Sequence, residues 1–440
     1  MRVEGVGTRP VPTIIWCGPI YSQSGYGTVS RLFVRELDRL GARIKVINTG
    51  SFDVEALDPA LHQRLKGLEQ TELRPPTLCI VHGGPLTLRR IHSSGVDRTV
   101  LFTIFETDRI PYSWVSALND DSLSEVWVPT EFNISTFSES GVLRSKLRKI
   151  RYGVQTPLPD KLSLKPDPHN FVFLAIARAG PRKGIDVLVE AFCHEFAVNE
   201  GATLRIHLTG PQSEIDAIKC KIESFSNPNI VLSTGSIPIG ELVSLLESAS
   251  IFVSTDKANG WSMPTMDAMA RGIPTITVDW SGSTEYADAL TTIPIIPQGL
   301  ERVPINKLNF ETSFMYLGHR WAKITTDEVR AKLRLAFISR DKLDLMAIAA
   351  RTRLQELFSI TKSCELILTI AQSVRNICRS PGGAPKIRVG TSIVEPVSVF
   401  LSFLINLGNF FREYGVKPSV DFILLQLQMH LAPKSLPKVR

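Results

Sequence analysis

The sequence predicts an α/β protein with two domains, each built on a parallel β-sheet, that face each other across a central cleft. Short apolar runs alternate with amphipathic helical patterns along most of the 440 residues, which is the pattern of parallel sheets covered by helices on both faces. One segment, residues 156–170, carries four prolines and few apolar residues, as an interdomain linker does. A chain of this length can bury a separate core in each of two domains.

We place the first domain at residues 1–157, the linker at 158–170 and the second domain at 171–360. A helical stretch follows at 361–379, and residues 380–440 form an unassigned apolar and basic tail. In parallel sheets, ligands gather beyond the carboxyl ends of the strands, so the loops after strands are the expected place for a site. The predicted strands of the first domain are 13–18, 43–48, 77–81, 99–105, 125–128 and 149–152, and those of the second are 171–177, 204–209, 229–233, 251–254 and 275–279.

The composition excludes several classes of protein. A hydrophobic content of 43% with 21% charged residues describes a globular chain, not a disordered one. The net charge of +7 and the pI near 9.1 favour acidic partners such as nucleotide phosphates or anionic lipid. No basic run is interleaved with aromatic residues, which argues against nucleic acid as a partner. The six cysteines are scattered without a Cys-x-x-Cys pair, and the amino terminus has no apolar signal core, so we expect a cytoplasmic protein without zinc or disulfides.

The segment from residue 251 to residue 286 is the most informative stretch. It contains an apolar run, a loop with Asn259 and Gly260, a short helix opened by Pro264, and a second apolar run after Gly272. Proline suits the first turn of a helix, and glycine suits its end. Unpaired backbone N–H groups and the helix dipole at such an N-terminus favour an anion, typically a phosphate.

A second phosphate-binding arrangement follows the first predicted strand. Residues 18–27 read GPIYSQSGYG and lead into a helical pattern near Ser30. Gly25 and Gly27 let the backbone approach a ligand closely. A plain tight turn would use the same residues, so the loop alone does not decide between the two interpretations.

The 251–286 segment resembles the donor-binding signature of retaining glycosyltransferases of the two-domain GT-B type, in the family numbered four, also called group 1. In that family an acidic residue, seven further residues and a glutamate stand in a GxP…EAMA.G.P frame, and Asn259 and Asp267 occupy the two acidic positions here. The resemblance implies that the first position touches the donor sugar and the second holds the nucleotide ribose. Two simpler interpretations are a turn at Asn-Gly and an aspartate that complements the helix dipole. The frame between the two positions supplies the other implied donor-binding residues, Gly260, Trp261, Ser262 and Met263.

The loop after the first strand of the second domain carries cations. It reads ARAGPRKGIDVLVEAF, and the positions of Arg178 and Lys183 match an arginine and a lysine that hold the donor's diphosphate in the resembling family. Cations placed there lower the barrier because the nucleoside diphosphate leaves with negative charge. The simpler interpretation is a pair of solvated loop cations. In STGSIPIGEL, Gly235 and Ile237 match a loop of the family that lines the nucleotide base through its backbone.

Two residues of the first domain complete the predicted site. Glu106, in FTIFETDR, stands where the resembling enzymes often carry a histidine close to the donor sugar. It would hold a sugar hydroxyl or the departing proton there, and the alternative is a surface acid paired with Arg109. His82, in VHGGP, is a candidate on the acceptor side, and its alternative is a histidine that caps a loop.

The resemblance implies a retaining, hexosyltransferase-type enzyme. Such an enzyme moves a sugar from a nucleotide-sugar to a lipid- or glycan-type acceptor in the synthesis of cell-surface polysaccharide or glycoconjugates, with Glu106, Asn259, Arg178 and Lys183 as its catalytic residues. No metal or other cofactor is expected, because the sequence lacks the Asp-x-Asp motif of the other main glycosyltransferase fold. Two alternatives stay open: a degenerate GT-B protein that binds nucleotide-sugar without turnover, and a GT-B enzyme that epimerises or hydrolyses a nucleotide-sugar.

The tail raises the question of a membrane. The apolar run 397–411 is too short to span a bilayer, which takes ~20 residues. Together with the basic charge it suggests an enzyme that rests on the inner face of the membrane and serves a lipid-linked acceptor. The alternative is packing against the second domain or against the 361–379 helix, which in GT-B proteins returns to the first domain.

Overall fold

The structure is a computed structural model that describes residues 12–52, 57–155, 158, 170–308, 313, 315–374 and 385–390. Most of the predicted linker lies outside the described residues, and so does the apolar run at 397–411.

The first domain is built on a six-stranded parallel sheet. Its spatial order is β2-β1-β3-β5-β6-β7, with strands and helices alternating along the chain. The elements are β1 (Thr13–Gly18), α1 (Gly25–Arg39), β2 (Arg43–Asn48), α2 (Pro59–Glu69), β3 (Thr77–His82), α3 (Pro85–Arg90), β4 (Ile91–Ser94), β5 (Arg98–Phe102), α4 (Tyr112–Leu118), β6 (Glu125–Val128), α5 (Glu131–Glu139) and β7 (Leu147–Lys149).

The second domain repeats the design with a sheet ordered β10-β9-β8-β11-β12-β13, again parallel throughout. The order 3-2-1-4-5-6 of its strands is that of dinucleotide-binding folds. The elements are β8 (Phe171–Arg178), α6 (Ile185–Glu195), β9 (Ala202–Thr209), α7 (Gln212–Phe225), β10 (Ile230–Thr234), α8 (Ile239–Glu247), β11 (Ile251–Ser254), α9 (Met263–Ala270), β12 (Thr275–Val278), β13 (Ile293–Ile295), β14 (Leu300–Arg302), β15 (Arg320–Ala322), α10 (Thr326–Ile338), α11 (Arg340–Leu357), α12 (Ile360–Ser373) and β16 (Lys386–Val389).

The predicted α/β fold class is confirmed by these two parallel sheets. Strands such as β1 and β3 are buried along their whole length, because helices cover both faces of a parallel sheet. Two predicted strand boundaries are wrong. The strand predicted at 99–105 ends at Phe102, and the one predicted at 149–152 is instead β7. In both segments the apolar residues beyond the strand are buried by packing, as Phe105 is against the ring of Trp114, rather than by pairing in the sheet.

Helix α12 connects the second domain back to the first. The chain crosses beside the linker, where Val154 exchanges backbone hydrogen bonds with Phe358 and Ile360 at 2.8 and 2.9 Å. Beyond that crossing, the Ser363 hydroxyl of α12 donates to the Arg151 carbonyl at 2.8 Å, and Cys364 is fully buried against α1. The end of the second domain therefore contributes to the core of the first.

A buried carboxylate ties the two domains together on one side of the cleft. Glu285 of the second domain accepts from Lys149 Nζ at 2.9 Å, from Arg151 Nε at 2.8 Å and from the Glu131 backbone N–H at 2.8 Å. Its side chain is only 5% exposed. Three donors from the first domain thus converge on one acceptor from the second.

Strand β16 was not anticipated from the sequence. It belongs to the unassigned tail and pairs antiparallel with β4, with Lys386 opposite Ser94 and Val389 opposite Ile91. The pair forms a small separate sheet, and Gly390 N–H donates to the Arg90 carbonyl at 2.9 Å. This part of the tail therefore lies on the first domain.

Candidate functional site

Each sheet has one point where the order of strands reverses, and the two loops at such a point leave a crevice for a ligand. In the second domain these are the loops after β8 and β11. Gly184, at φ +60°, holds them together: a Cβ there would lie 2.5 Å from the Thr255 carbonyl oxygen, so only glycine allows this contact. The β8 loop carries Arg178 and Lys183, and the β11 loop carries Asn259, so the fold brings these predicted residues to one edge of the sheet.

A small cavity of about 120 Å³ lies on the β8 loop, and we call it the clamp cavity. Three of its lining side chains are cations, namely Arg178, Arg182 and Lys183, and one, Glu214, is an acid. Arginine offers a planar fork of donors and lysine a compact charge, so the set suits neighbouring oxygens of an anion. The remaining lining residues are Ala179, Gly180, Pro181, Leu308 and Tyr316.

Lys183 is buried in an ion pair. Its Nζ lies 2.6 Å from Oδ2 of Asp256, and the two side chains are 15% and 6% exposed. Burial lowers the pKa of Lys183 from its usual value, while the charge and hydrogen bond of Asp256 act in the opposite direction. The carboxylate of Asp256 therefore favours the charged form of the lysine.

Arg182 spans the cleft between the domains. Its NH1 donates to the Ala258 carbonyl at 2.7 Å, and its Nε lies 3.4 Å from Oε1 of Glu106 in the first domain. The hydroxyl of Tyr316 donates to the same Glu106 oxygen. Burial acts to lower the pKa of Arg182, but the charges of Glu106, Tyr316 and Asp256 outweigh it and raise the value. Glu106 thus contacts two residues that line the clamp cavity, Arg182 and Tyr316.

Asn259 is buried, with one oxygen left unsatisfied. Its backbone N–H donates to Ser281 Oγ at 3.0 Å, and its side-chain Nδ2 donates to Ser283 Oγ at 3.2 Å. Its Oδ1 has no hydrogen-bond partner among the described residues, although the residue is only 2% exposed. Since buried polar atoms are nearly always paired, this oxygen is a candidate acceptor for a ligand hydroxyl.

Gly260 lies against Ile104 of the first domain. A Cβ at Gly260 would lie 2.3 Å from Cγ1 of Ile104 and 2.4 Å from its Cδ1. A side chain at this position would therefore force the two domains or the Ile104 side chain to move.

The next two predicted donor-binding residues, Trp261 and Ser262, lie in two different environments. Trp261 is 2% exposed and packs against Tyr152, Tyr286 and Phe358, in the core shared with the first domain. Ser262 begins α9 at φ +57°, and its hydroxyl donates to Asp256 Oδ2 at 3.4 Å. Trp261 therefore supports the loop from beneath, while Ser262 lies beside the pair of Lys183 and Asp256.

Asp267 and Met263 line a second cavity, of about 340 Å³, between the two domains. Its walls come from α1, α9 and residues 153–155, and they include Arg31, Arg35 and Arg271. Asp267 is 40% exposed and lies 3.3 Å from Arg271 Nε. The structure thus places Asp267 apart from the clamp cavity, which it does not line.

The glycine-rich loop of the first domain reaches the base-lining loop predicted in the second. Gln23 Oε1 accepts from the Ser236 hydroxyl at 2.8 Å, which joins the loop before α1 to the loop that holds Gly235 and Ile237. Gly25 has open space where a Cβ would lie, whereas a Cβ at Gly27 would lie 2.0 Å from the Ser22 carbonyl oxygen. Gly25 is therefore free to meet a ligand, and Gly27 is required by the turn itself.

His82 lies in the core of the first domain rather than on the cleft surface. Its Nδ1 is 2.7 Å from Ser30 Oγ and its Nε2 is 3.0 Å from Tyr152 OH, and the residue has no exposed surface. Burial lowers the pKa of His82 to about 3, so the ring is neutral. With both nitrogens engaged, no ring atom is presented to an acceptor in this conformation.

Three residues that complete the site were not predicted from the sequence: Arg182, Asp256 and Tyr316. Asp256 follows a buried strand by two residues, and a carboxylate at the end of such a strand is a signal that could have found it. Arg182 stands next to Lys183 and could have been included with it. Tyr316 meets Glu106 across 210 positions of sequence, and no local pattern indicates that contact.

The described residues include neither a candidate metal site nor a candidate membrane-spanning helix. No group of three or more histidine, cysteine, aspartate or glutamate side chains in this part of the chain is placed to hold a metal ion. No helix within it is long and apolar enough to cross a membrane.

Comparison with known proteins agrees with this architecture. Residues 160–298 match the family model described as "Glycosyl transferases group 1". A curated relative, the putative colanic acid biosynthesis glycosyltransferase WcaL of Escherichia coli, is 24% identical over 256 residues, which are 52% of this chain and 60% of WcaL. The match to the Salmonella typhimurium protein of the same name covers 57% of that protein, so the chain spans somewhat over half the length of these relatives.

Solved structures match over more of the chain. Anabaena HepE, crystallised with UDP and glucose, has a TM-score of 0.56 at 13% identity, covering 82% of this chain and 99% of HepE. Sucrose-phosphate synthase from Thermosynechococcus elongatus has a TM-score of 0.60 at 12% identity, covering 82% of this chain and 98% of that one. The chain therefore has the GT-B fold of these glycosyltransferases, and its residues 160–298 match the group 1 glycosyltransferase domain.

Proposed function

We propose that this protein is a glycosyltransferase that moves a sugar from a nucleotide-sugar donor to an acceptor bound by the first domain. The observation that carries the proposal is the clamp cavity, where three cations meet at the strand-order reversal of the second domain and one of them, Arg182, contacts Glu106 across the cleft. The match of residues 160–298 to a glycosyltransferase domain supports the same conclusion.

The cations would act on the departing diphosphate. Arg178 and Lys183 line the cavity together, and positive charge aimed at developing negative charge stabilises a transition state more than the ground state. We propose that transfer proceeds with retention and without a metal ion, the leaving phosphate itself assisting attack from the same face of the sugar. The helix N-terminus at Ser262 and the backbone of Gly25 are further donors within the cleft.

The sugar would lie between Asn259 and Glu106. The unsatisfied Asn259 Oδ1 can accept from a sugar hydroxyl, because its Nδ2 is already held by Ser283. Glu106 is oriented by Arg182 and Tyr316, so it can hold a second hydroxyl or receive the proton that leaves the acceptor. The loop of Gly235 and Ile237 would line the base, and Asp267 would hold the ribose from the second cavity.

The descriptions of the similar proteins guide our choice of donor and acceptor. HepE was crystallised with UDP and glucose, so we propose a UDP-hexose as the first donor to test. WcaL carries the description of a colanic acid biosynthesis glycosyltransferase, so we propose a glycan- or lipid-linked acceptor of cell-surface polysaccharide synthesis.

A second candidate function is binding of nucleotide-sugar without turnover. It is favoured by Asn259, which supplies an amide where the resembling enzymes carry an acid. An epimerase or hydrolase of nucleotide-sugars is a third candidate, and it would need no acceptor.

One series of experiments separates the three. Calorimetric titration of the full chain with UDP, GDP and ADP, and then with the corresponding sugars, identifies the base. Incubation with the best donor alone and with candidate acceptors, followed by product analysis, should give a glycosylated acceptor only when both are present. Product from donor alone would support the epimerase or hydrolase, tight binding without product would support the binding protein, and no binding of any nucleotide would refute all three.

A further inference from the structure

We propose that Asp256 is a positioning residue that keeps Lys183 aimed into the clamp cavity and charged. This inference rests on the proposed function, because it assigns the role of Asp256 in binding the donor's diphosphate. It adds a residue that was not predicted from the sequence and that the comparisons do not name.

The first support is geometric. Hydrogen bonds from both backbone and side-chain atoms join the β8 loop to the β11 loop. Thr255 Oγ1 donates to the Lys183 carbonyl at 2.9 Å, and Lys257 N–H donates to the Arg182 carbonyl at 2.8 Å. Asp256 stands between those two donors in the sequence, and its Oδ2 accepts a hydrogen bond from Lys183 Nζ at 2.6 Å. Lys183 is therefore fixed at its backbone by one neighbour of Asp256 and at its side-chain tip by Asp256 itself.

The second support is the charge environment of Lys183. The charged groups that act on its ammonium are Asp256, Arg182 and Glu106, and of these Asp256 is the carboxylate in direct contact. Arg182 and burial both favour the neutral amine. Without Asp256, the pKa of Lys183 would fall further, so the neutral amine would become populated at a lower pH than in wild type. A neutral amine offers no charge to a phosphate.

The pair leaves room for the ligand. An ammonium group has three donors and no acceptor, so one N–H can stay on Asp256 while the others meet diphosphate oxygens. Asp256 also accepts from Ser262 at 3.4 Å, the residue that begins α9. The carboxylate thus links the lysine to the helix N-terminus predicted to face the same anion.

The test measures nucleoside diphosphate affinity against pH. Wild type, Asp256→Asn and Glu301→Gln are titrated calorimetrically with UDP, GDP and ADP at about pH 7.5 and about pH 9.5, both above the second phosphate ionisation near 6. Glu301→Gln is the matched control, because it breaks a lysine–carboxylate pair of 2.9 Å, to Lys257, outside the clamp cavity. We expect Asp256→Asn to bind nucleoside diphosphate more weakly than wild type at the lower pH. At the higher pH its affinity should be about tenfold or more below that of wild type. Glu301→Gln should have the wild-type affinity at both.

An arginine background isolates the effect of charge. Arginine stays protonated at any accessible pH, so Lys183→Arg and the double variant Lys183→Arg with Asp256→Asn should show the same dependence on pH as each other. Asp256→Glu keeps the charge on a longer arm and should keep the wild-type profile, a measurement that does not need the Asn variant to fold. Loss of that profile in a folded Asp256→Glu protein would contradict the charge argument.

Each of the remaining outcomes would overturn the proposal. A pH-dependent loss that persists in the arginine background would overturn the proposal, since the lysine would not be its cause. Tighter binding by Asp256→Asn would show that the carboxylate competes with the ligand, and would overturn it too. If wild type binds and Asp256→Asn is unchanged, this inference alone fails; if wild type binds no nucleoside diphosphate, the proposed function fails and takes the inference with it.

Discussion

Replacing Gly260 by alanine should block closure of the cleft. The new Cβ would lie 2.3 and 2.4 Å from the Cγ1 and Cδ1 atoms of Ile104 in the other domain. Carbon atoms in favourable contact are about 3.5–4.0 Å apart, so the two groups must separate by about 1.2–1.7 Å. Overpacking of this kind costs about 1–3 kcal/mol, and the domains can relieve it by opening.

The expected result of Gly260→Ala is a drop of about tenfold in kcat/KM or, if only binding is measured, in donor affinity. The physical reason is that opening moves Glu106 away from Arg182 and the loop of Asn259 away from the first domain. The assay is sugar transfer with the best donor, accompanied by thermal unfolding to record stability.

A compensating change makes this prediction specific. Ile104→Ala removes both clashing atoms, so the double variant with Gly260→Ala should recover most of the lost activity although it lacks a half-buried side chain. Gly67→Ala is the control, because a Cβ at Gly67 meets nothing within 4 Å and alanine favours its helix by up to about 1 kcal/mol. If the double variant is no better than Gly260→Ala alone, contact with Ile104 is not the cause and the reasoning is refuted.

Three further predictions concern single side chains. Lys183→Ala should weaken nucleoside diphosphate binding by at least tenfold, since a charge-assisted contact contributes about 1.5–3 kcal/mol; calorimetry checks it, with the surface variant Lys219→Ala as control, and unchanged affinity would contradict the clamp assignment. Asn259→Glu should lower transfer, because an unpaired charge would enter a buried position; a rate gain in the same assay would show that the amide is a defect rather than an adaptation. Glu285→Gln should destabilise the protein by about 1–3 kcal/mol in urea unfolding, because Lys149 and Arg151 lose the negative charge of their shared acceptor and the Glu131 N–H would face an amide donor, and an unchanged unfolding midpoint would count against the interdomain tie.

The α/β fold class could be predicted from the sequence alone. Alternation of apolar runs and helical patterns predicted both parallel sheets because strand and helix periodicities are local properties of the chain. Arg178 and Lys183 were predicted through a resemblance to a family motif, and they lie at the same edge of the sheet because Arg178 ends β8 and Lys183 follows it by five positions. Asn259 was found through its place in a local frame of residues, not through its burial.

Which of these residues lie together could be seen only in the tertiary structure. His82 is a neutral core residue, Trp261 packs beneath the β11 loop, and Asp267 lines a separate cavity. Contacts of this kind join residues far apart in sequence, such as Glu106 with Tyr316 and Arg182. Their geometry depends on how two domains close on each other, and neither hydrophobic spacing nor turn chemistry within one segment carries that information.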